Sequence, residues 1–169
     1  SGCFVTLSQK VKEIYNNLFY NDRIGGTKGH YGIRMLGSGV SATLSGTRSN
    51  YNLYAIPDTA AFATYYPLGK IGLGQWKSLT GLDDSTYVSQ IINVPSNSLF
   101  VNKAAGNLNI NSDNEVCWSV NNKALPYIGI TDDFDGSGIR PTTLTAGNSD
   151  IGSDEFLTYT MAPGGICEG

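Results

Sequence analysis

The residues best placed for chemistry lie in one acidic loop over 131–138, which reads Thr-Asp-Asp-Phe-Asp-Gly-Ser-Gly. Asp133, Asp135 and Ser137 put oxygen atoms at alternate positions, with a glycine for the bend, as in the first half of an EF-hand calcium loop. The second half of that pattern is absent, because apolar residues and a proline stand where further ligands belong. We interpret the loop as a solvated acidic turn with, as the alternative, a calcium site held by these three residues; no other cofactor is expected.

A later stretch carries three more carboxylates, Asp150, Asp154 and Glu155. If this stretch lay beside the first loop, it would supply the missing ligands of a calcium site different from an EF-hand. Paired carboxylates also catalyse glycoside hydrolysis, but these residues cluster in turns, where a raised pKa is hard to arrange. The single histidine, His30, lies beside a glycine, and no Gly-x-Ser-x-Gly nucleophile motif is present. The sequence therefore predicts that the protein is not an enzyme.

Trp76 is the candidate for a binding surface. It follows a glycine-rich segment over 69–74, which predicts a loop that holds the indole ring in solvent. An exposed indole offers a flat apolar face to a sugar or a protein partner. Packing of the ring in the core or at its rim is the alternative, and it is the interpretation that we favour.

Three cysteines are present, Cys3, Cys117 and Cys167, and their spacing does not form a zinc site with the one histidine. A bridge between Cys117 and Cys167 would tie down the end of the chain. It would close a loop of about 50 residues and contribute roughly 3–4 kcal/mol in the chain-entropy model. We predict this disulfide, which favours an extracellular or cell-surface protein. Three reduced thiols, or a bridge that involves Cys3, are the alternatives.

Composition and charge exclude several classes of protein to which this chain could belong. A chain of 169 residues suits a single globular domain over 1–169, and only 15% of it is charged, against roughly 25% in typical soluble domains. The net charge of -3, without any cluster of Lys and Arg, argues against a nucleic-acid partner. No apolar run approaches the roughly 20 residues that span a membrane. We see no internal repeat.

The element expected to organise the fold is a helix over 1–20. Its apolar residues recur in steps of three and four and form one stripe: Phe4, Leu7, Val11, Ile14 and Leu18. The body over 21–169 is rich in glycine and small polar residues, which predicts short strands and turns. We expect an α+β fold in which the N-terminal amphipathic helix packs on an antiparallel β-sheet body. The alternative is an all-β sandwich with a short helix.

Two local patterns are clearer. Alternating residues over 51–56 predict a strand that ends at Pro57, after which Asp58 caps a short helical turn. The stretch over 87–94 is compatible with a strand or with a helix that begins near Asp83.

The order of these features resembles the globular domain of type IV pilins, particularly the type IVb kind. An opening amphipathic helix, a glycine-rich connection, a β-rich body and a late disulfide from Cys117 to Cys167 carry the resemblance. It implies a subunit that self-assembles with like subunits. It also implies contact with a membrane only through a missing N-terminal segment. The processing-site motif and the apolar half-helix of that family are not in this sequence.

The expected function is therefore that of a structural subunit of a cell-surface fibre, pilin-like or a minor pilin, which acts by assembly and adhesion. The alternative is a secreted β-rich module that binds carbohydrate or protein, such as a host or surface glycan, with calcium as a possible requirement.

Overall fold

The computed structural model describes residues 2–6, 13–25, 29–35, 44, 46–90, 99–136 and 140–158. The chain divides into two compact units, Ser1–Asn93 and Val94–Gly169, which we call unit 1 and unit 2. In the described residues strands outnumber helices, so the fold is α+β in the broad sense or mostly β. The single domain over 1–169 stays a prediction.

The described part of unit 1 contains nine strands in three sheets. In chain order the strands are β1 (Gly2–Thr6), β2 (Glu13–Tyr15), β3 (Leu18–Tyr20), β4 (Tyr31–Met35), β5 (Arg48–Asn50), β6 (Leu53–Ile56), β7 (Ala63–Tyr65), β8 (Gly69–Ile71) and β9 (Tyr87–Gln90). The sheet orders are β1-β4-β7-β8, β2-β5 and β3-β6-β9. Every pair in these sheets is parallel except β7 with β8.

Each sheet takes its strands in chain order, so the chain winds through three stacked coils. Coil 1 comprises β1 to β3, coil 2 comprises β4 to β6, and coil 3 contains β7 and β9. Glu13 pairs with Arg48 and Leu18 pairs with Leu53, and both pairs are separated by 35 residues. A constant spacing across two strands makes coil 2 a structural repeat of coil 1. The expectation that the chain has no internal repeat is therefore wrong for the backbone.

The prediction of a helix over 1–20 is wrong for the described residues of that segment, because β1, β2 and β3 are strands. The chain bends between β2 and β3 at Asn16, whose φ of 61 is left-handed and interrupts any right-handed helix. Ile14 is buried on one side of the bend, and Leu18 lies on the other side, opposite the buried Leu53. A bent strand pair thus reproduces the four-residue spacing of a helical stripe.

The predicted antiparallel body is also corrected, since five of the seven pairings between described strands are parallel. Parallel neighbours need a long return connection, and strands buried on both faces are apolar throughout rather than alternating. The four residues of β6 are all buried. Local alternation therefore gave little information about strand direction.

The core of unit 1 lies between the first and third sheets. It joins Ile33 and Met35 of β4 to Tyr54 and Ile56 of β6, and it also includes Phe62, Ala63, Ile71 and Trp76. Gly32 allows this packing, since a Cβ there would lie 2.9 Å from the ring of Tyr54 and 3.0 Å from the carbonyl oxygen of Phe62. The ring of Tyr54 stacks on Phe19 at 4.6 Å between centroids.

Helix α1 (Leu73–Thr80) supplies Trp76 and ends at Gly81, which adopts the left-handed conformation. The strand predicted over 51–56 is present as β6, and Asp58 caps a 3-10 helix, Thr59–Ala61, by accepting the N–H of Ala60 at 3.0 Å. Of the two alternatives over 87–94, the strand is present as β9.

Unit 2 has less regular structure. Strands β10 (Phe100–Asn102) and β11 (Asn107–Ile110) form an antiparallel pair, connected through the 3-10 helix Lys103–Ala105. A second 3-10 helix, Glu115–Ser119, buries Cys117. Further along the chain, Ala124 and Ser149 form an antiparallel bridge.

Candidate functional site

The bend of each coil in unit 1 carries a polar side chain that bonds to the neighbouring coil. We call Asn17, Asn52 and Thr86 the bend ladder. The N–H of Asn17 donates to Oδ1 of Asn52 at 2.9 Å, and the N–H of Asn52 donates to Oγ1 of Thr86 at 3.2 Å. Nδ2 of Asn52 also donates to the carbonyl oxygen of Ile14 at 2.9 Å. These bonds satisfy backbone groups at the bend, beside the direct bond from the N–H of Leu53 to the carbonyl oxygen of Asn17 at 2.9 Å.

A buried carboxylate anchors the ladder to α1. Oδ1 of Asp83 accepts the hydroxyls of Ser49 at 2.6 Å and Thr86 at 2.8 Å, and Oδ2 accepts the indole N–H of Trp76 at 2.8 Å. Asp83 is 1% exposed and its φ is 64. Because neutral donors occupy both oxygens, we assign this carboxylate to the architecture rather than to proton transfer.

Trp76 does not form the predicted binding surface. Its side chain is 1% exposed and packs against Phe62 and Tyr65. The glycine-rich segment over 69–74 is not a loop: Gly69 begins β8, Gly72 precedes α1 and Gly74 lies within α1. The alternative of core packing is confirmed.

The outer edge of coil 1 lies on the side of that coil away from coil 2. We define it as the edges of β1, β2 and β3 that face away from coil 2, and each of these strands has a single neighbour among the described strands. Leu18 is partly exposed there, whereas its counterpart Leu53 in coil 2 is buried. In general, a strand at the edge of a sheet can pair with a further strand.

Unit 2 contains a buried arginine that bonds to two backbone carbonyl groups and to one carboxylate. Arg140 donates to the carbonyl oxygens of Gly152 at 2.8 Å and Asp150 at 2.6 Å, and its Nε lies 3.3 Å from Oε2 of Glu155. The carboxylate of Asp150 accepts the N–H of Asn122 at 2.6 Å and that of Phe156 at 3.0 Å. These bonds connect three separate segments of unit 2.

Burial has the largest effect on the pKa values of the carboxylates around Arg140. The pKa of Glu155 is raised to about 7, chiefly by desolvation and then by the nearby carboxylate of Asp150, while a hydrogen bond from the N–H of Asp150 and the charge of Arg140 oppose the shift. Desolvation likewise raises the pKa values of Asp150 and Asp154.

The described part of the acidic loop, residues 131–136, lies near the later carboxylates, and the N–H of Phe134 donates to the carbonyl oxygen of Ser153 at 2.9 Å. After desolvation, the charges of Asp133 and Asp135 contribute to raising the pKa of Asp154, whose carboxylate accepts the N–H of Ile110. Asp133 is buried, Asp135 is exposed and accepts from Asn109 at 3.3 Å, and Ser137 lies outside the described residues. Across the described ranges, no three His, Cys, Asp or Glu side chains are arranged to hold a metal ion. The calcium site stays a prediction.

The predicted disulfide also stays a prediction, because Cys167 lies outside the described residues. Cys117 is fully buried. The side chain of Cys3 is likewise outside the description.

The bend ladder is the feature that sequence reasoning missed. Its signal is the triplet Asn-Leu-aromatic, which occurs as 17–19 and again 35 residues later as 52–54. In coil 3 the ladder residue is Thr86 and the Asn-Leu-aromatic triplet is absent, so the sequence pattern occurs in two of the three coils.

Comparison with known proteins gives no relative: no protein-family model, curated protein or solved structure matches this chain. No helix in the described part of the chain combines the length and the apolar character that crossing a membrane requires.

Proposed function

We propose that this chain is a structural subunit of a cell-surface or extracellular assembly and that it acts by stacking its coils on other subunits. The observation that supports the proposal is the outer edge of coil 1, where each of three strands has a single neighbour among the described strands. Coils of a parallel stack bury their apolar faces against the next coil, so an end coil gains from a further neighbour.

The chemistry of unit 1 supports a structural role. Four of its buried polar residues, Ser49, Asn52, Asp83 and Thr86, hydrogen-bond to one another or to the neighbouring coil. The proposal therefore includes no catalytic group and no cofactor.

The type IV pilin form of this function requires a long helix at the start of the chain. The described residues of 1–20 are strands, so the proposal keeps from the pilin resemblance only surface location, assembly with other subunits and adhesion.

The test is fractionation of the source cells with an antibody to this chain. We expect the protein in a sedimenting, high-mass fraction that added protease reaches on intact cells, while a cytosolic marker stays protected. A protease-protected protein that sediments as a single chain would contradict the proposal.

A calcium-dependent secreted module that binds carbohydrate or protein is the second candidate. It is supported by the approach of Asp133 and Asp135 to Asp154. Calorimetric titration with calcium should show saturable binding that is weakened in Asp135→Asn and unchanged in Asp132→Asn, an exposed control in the same loop. Absence of calcium binding would remove this candidate.

A further inference from the structure

The carbonyl groups of the bend ladder find their hydrogen-bond donors in two ways. In coil 1 the carbonyl oxygen of Asn17 accepts the N–H of Leu53, which belongs to coil 2, at 2.9 Å. In coil 3 the carbonyl oxygen of Thr86 accepts from Nζ of Lys77 at 3.3 Å. The same Nζ donates to the carbonyl oxygen of Asp84 at 2.7 Å. A lysine ammonium of α1 therefore serves coil 3 as a backbone N–H of the next coil serves coil 1.

The N–H groups of the ladder show the same change at coil 3. In coils 1 and 2 the ladder N–H donates to the next coil, from Asn17 to Asn52 and from Asn52 to Thr86. The N–H of Thr86 instead donates within its own coil, to the carbonyl oxygen of Asp83 at 3.0 Å. Both backbone groups of this last ladder residue are thus satisfied by residues of unit 1 without a further coil.

The strand before α1 closes the first sheet on the same side of the stack. Strands β1, β4 and β7 are parallel and follow coil order, so a further coil would add a parallel strand beside β7. That position holds the antiparallel β8, with Ala63 opposite Ile71 and Tyr65 opposite Gly69. Strand β8 and helix α1 are consecutive in the chain, and we call residues 69–80 the end cap.

The end cap is anchored from the inside. The indole N–H of Trp76 donates to Asp83 at 2.8 Å, and its ring lies 5.9 Å from that of Phe62 and 6.4 Å from that of Tyr65 between centroids. Lys77, the next residue, is partly exposed. A substitution at Lys77 therefore removes the bonds to coil 3 while it leaves the anchor of the helix in the core.

We propose that the end cap blocks coil 3 from pairing with a second copy of this chain, and that Lys77 does so by replacing the backbone donor of a further coil. Covered strand edges and capping units at the ends of a stack prevent association between repeat proteins. This proposal rests on the proposed function, because a closed end directs the assembly of the chain to its other surfaces.

The test is sedimentation velocity of the full chain over a series of concentrations, with Lys77→Met beside the wild type. Methionine keeps an unbranched apolar side chain but donates no hydrogen bond, so the carbonyl oxygens of Asp84 and Thr86 lose their donor. We expect the variant to self-associate at concentrations about tenfold lower than the wild type. Amide hydrogen exchange should show that association protects β9, which follows the ladder residue.

The matched control is Lys70→Met, which makes the same change of charge and side chain within the end cap. Nζ of Lys70 bonds to Asp58 rather than to a bend carbonyl, so this variant should associate like the wild type. Lys77→Arg keeps a cationic donor and should also behave like the wild type. If circular dichroism shows Lys77→Met to be unfolded, Lys77→Gln takes its place, because its shorter side chain cannot reach both carbonyl groups.

Three results would overturn the proposal. They are association of the Lys77 variant only at wild-type concentrations, equal association of Lys70→Met, and protection outside coil 3 in the associated species. If cell fractionation finds the protein in an assembly while Lys77→Met gains no association, the end cap is wrong and the structural function stands. If Lys77→Met associates but the cellular protein is a protected single chain, the function is wrong and the end cap stands.

Discussion

Units 1 and 2 satisfy their buried polar groups with different kinds of partner. Unit 1 surrounds its buried Asp83 with hydroxyl and indole donors and extends the arrangement through neutral amides. Unit 2 instead buries Arg140 between Asp150 and Glu155. The difference implies that unit 1 depends on the shape and register of its coils, whereas unit 2 depends on the protonation of its carboxylates.

The largest expected effect comes from the indole that joins the core of unit 1 to the ladder. Trp76→Ala should lower the free energy of unfolding by about 3–5 kcal/mol, because it leaves a large cavity. Trp76→Phe keeps an aromatic ring in the core but removes the indole N–H that donates to Asp83. It should lower the free energy of unfolding by about 1–3 kcal/mol. Urea titration followed by circular dichroism measures both. If the two variants were as stable as the wild type, unit 1 would not depend on this residue.

The ladder itself provides a comparison between equivalent residues. Asn52→Ala leaves the N–H of Asn17 and the carbonyl oxygen of Ile14 without partners, and should cost about 2–4 kcal/mol. Asn17→Ala, at the end of the ladder, should cost about 1 kcal/mol or less. The same urea titration applies. Equal losses at the two positions would show that stacking between coils is not what stabilises the bend.

The stability of unit 2 should depend on pH. The pKa of Glu155 is about 7 in the folded chain against the usual 4.5, so the folded state binds the proton more tightly than the unfolded state. The resulting stabilisation is complete below pH 4.5 and is lost as the pH rises through 7. Allowing for partial exposure, unit 2 should be about 1 kcal/mol more stable at pH 5 than at pH 8.

Glu155→Gln is the control for this pH effect, because it keeps the shape of the side chain and removes its titration. We expect the variant to lose much of the difference between pH 5 and pH 8. Amide hydrogen exchange resolved by residue separates unit 2 from unit 1. A larger pH dependence in the amides of unit 1 would reverse the comparison.

The smallest effect is expected on the surface of unit 1. Asp58 pairs with Lys70 at 3.1 Å, and this bond lowers the pKa of the carboxyl group. Asp58→Asn keeps an oxygen for the N–H of Ala60 but loses the ion pair, so the free energy of unfolding should fall by only about 0.5 kcal/mol. A loss as large as that of Asn52→Ala would mean that surface charge matters to unit 1.

Features determined by a few neighbouring residues were predictable from the sequence, such as β6 before Pro57 and the cap formed by Asp58. Features that depend on distant residues were not. The buried Ile14 and partly buried Leu18 have helical spacing only because the left-handed Asn16 bends the chain between two strands. Trp76 is buried because Asp83 accepts its indole N–H and because its ring packs in the aromatic core. The approach of Asp133 to Asp154 was predictable as a possibility, but its geometry depends on how two loops fold together.

The spacing of 35 residues at both Glu13–Arg48 and Leu18–Leu53 has a consequence for the evolution of the gene. One codon inserted between β2 and β3 would keep the first pairing and shift the second by one residue, which turns inward side chains outward. A matching insertion between β5 and β6 would restore both pairings. Length changes in these two bends should therefore be inherited together, whereas the longer connections between coils are free to vary in length one at a time.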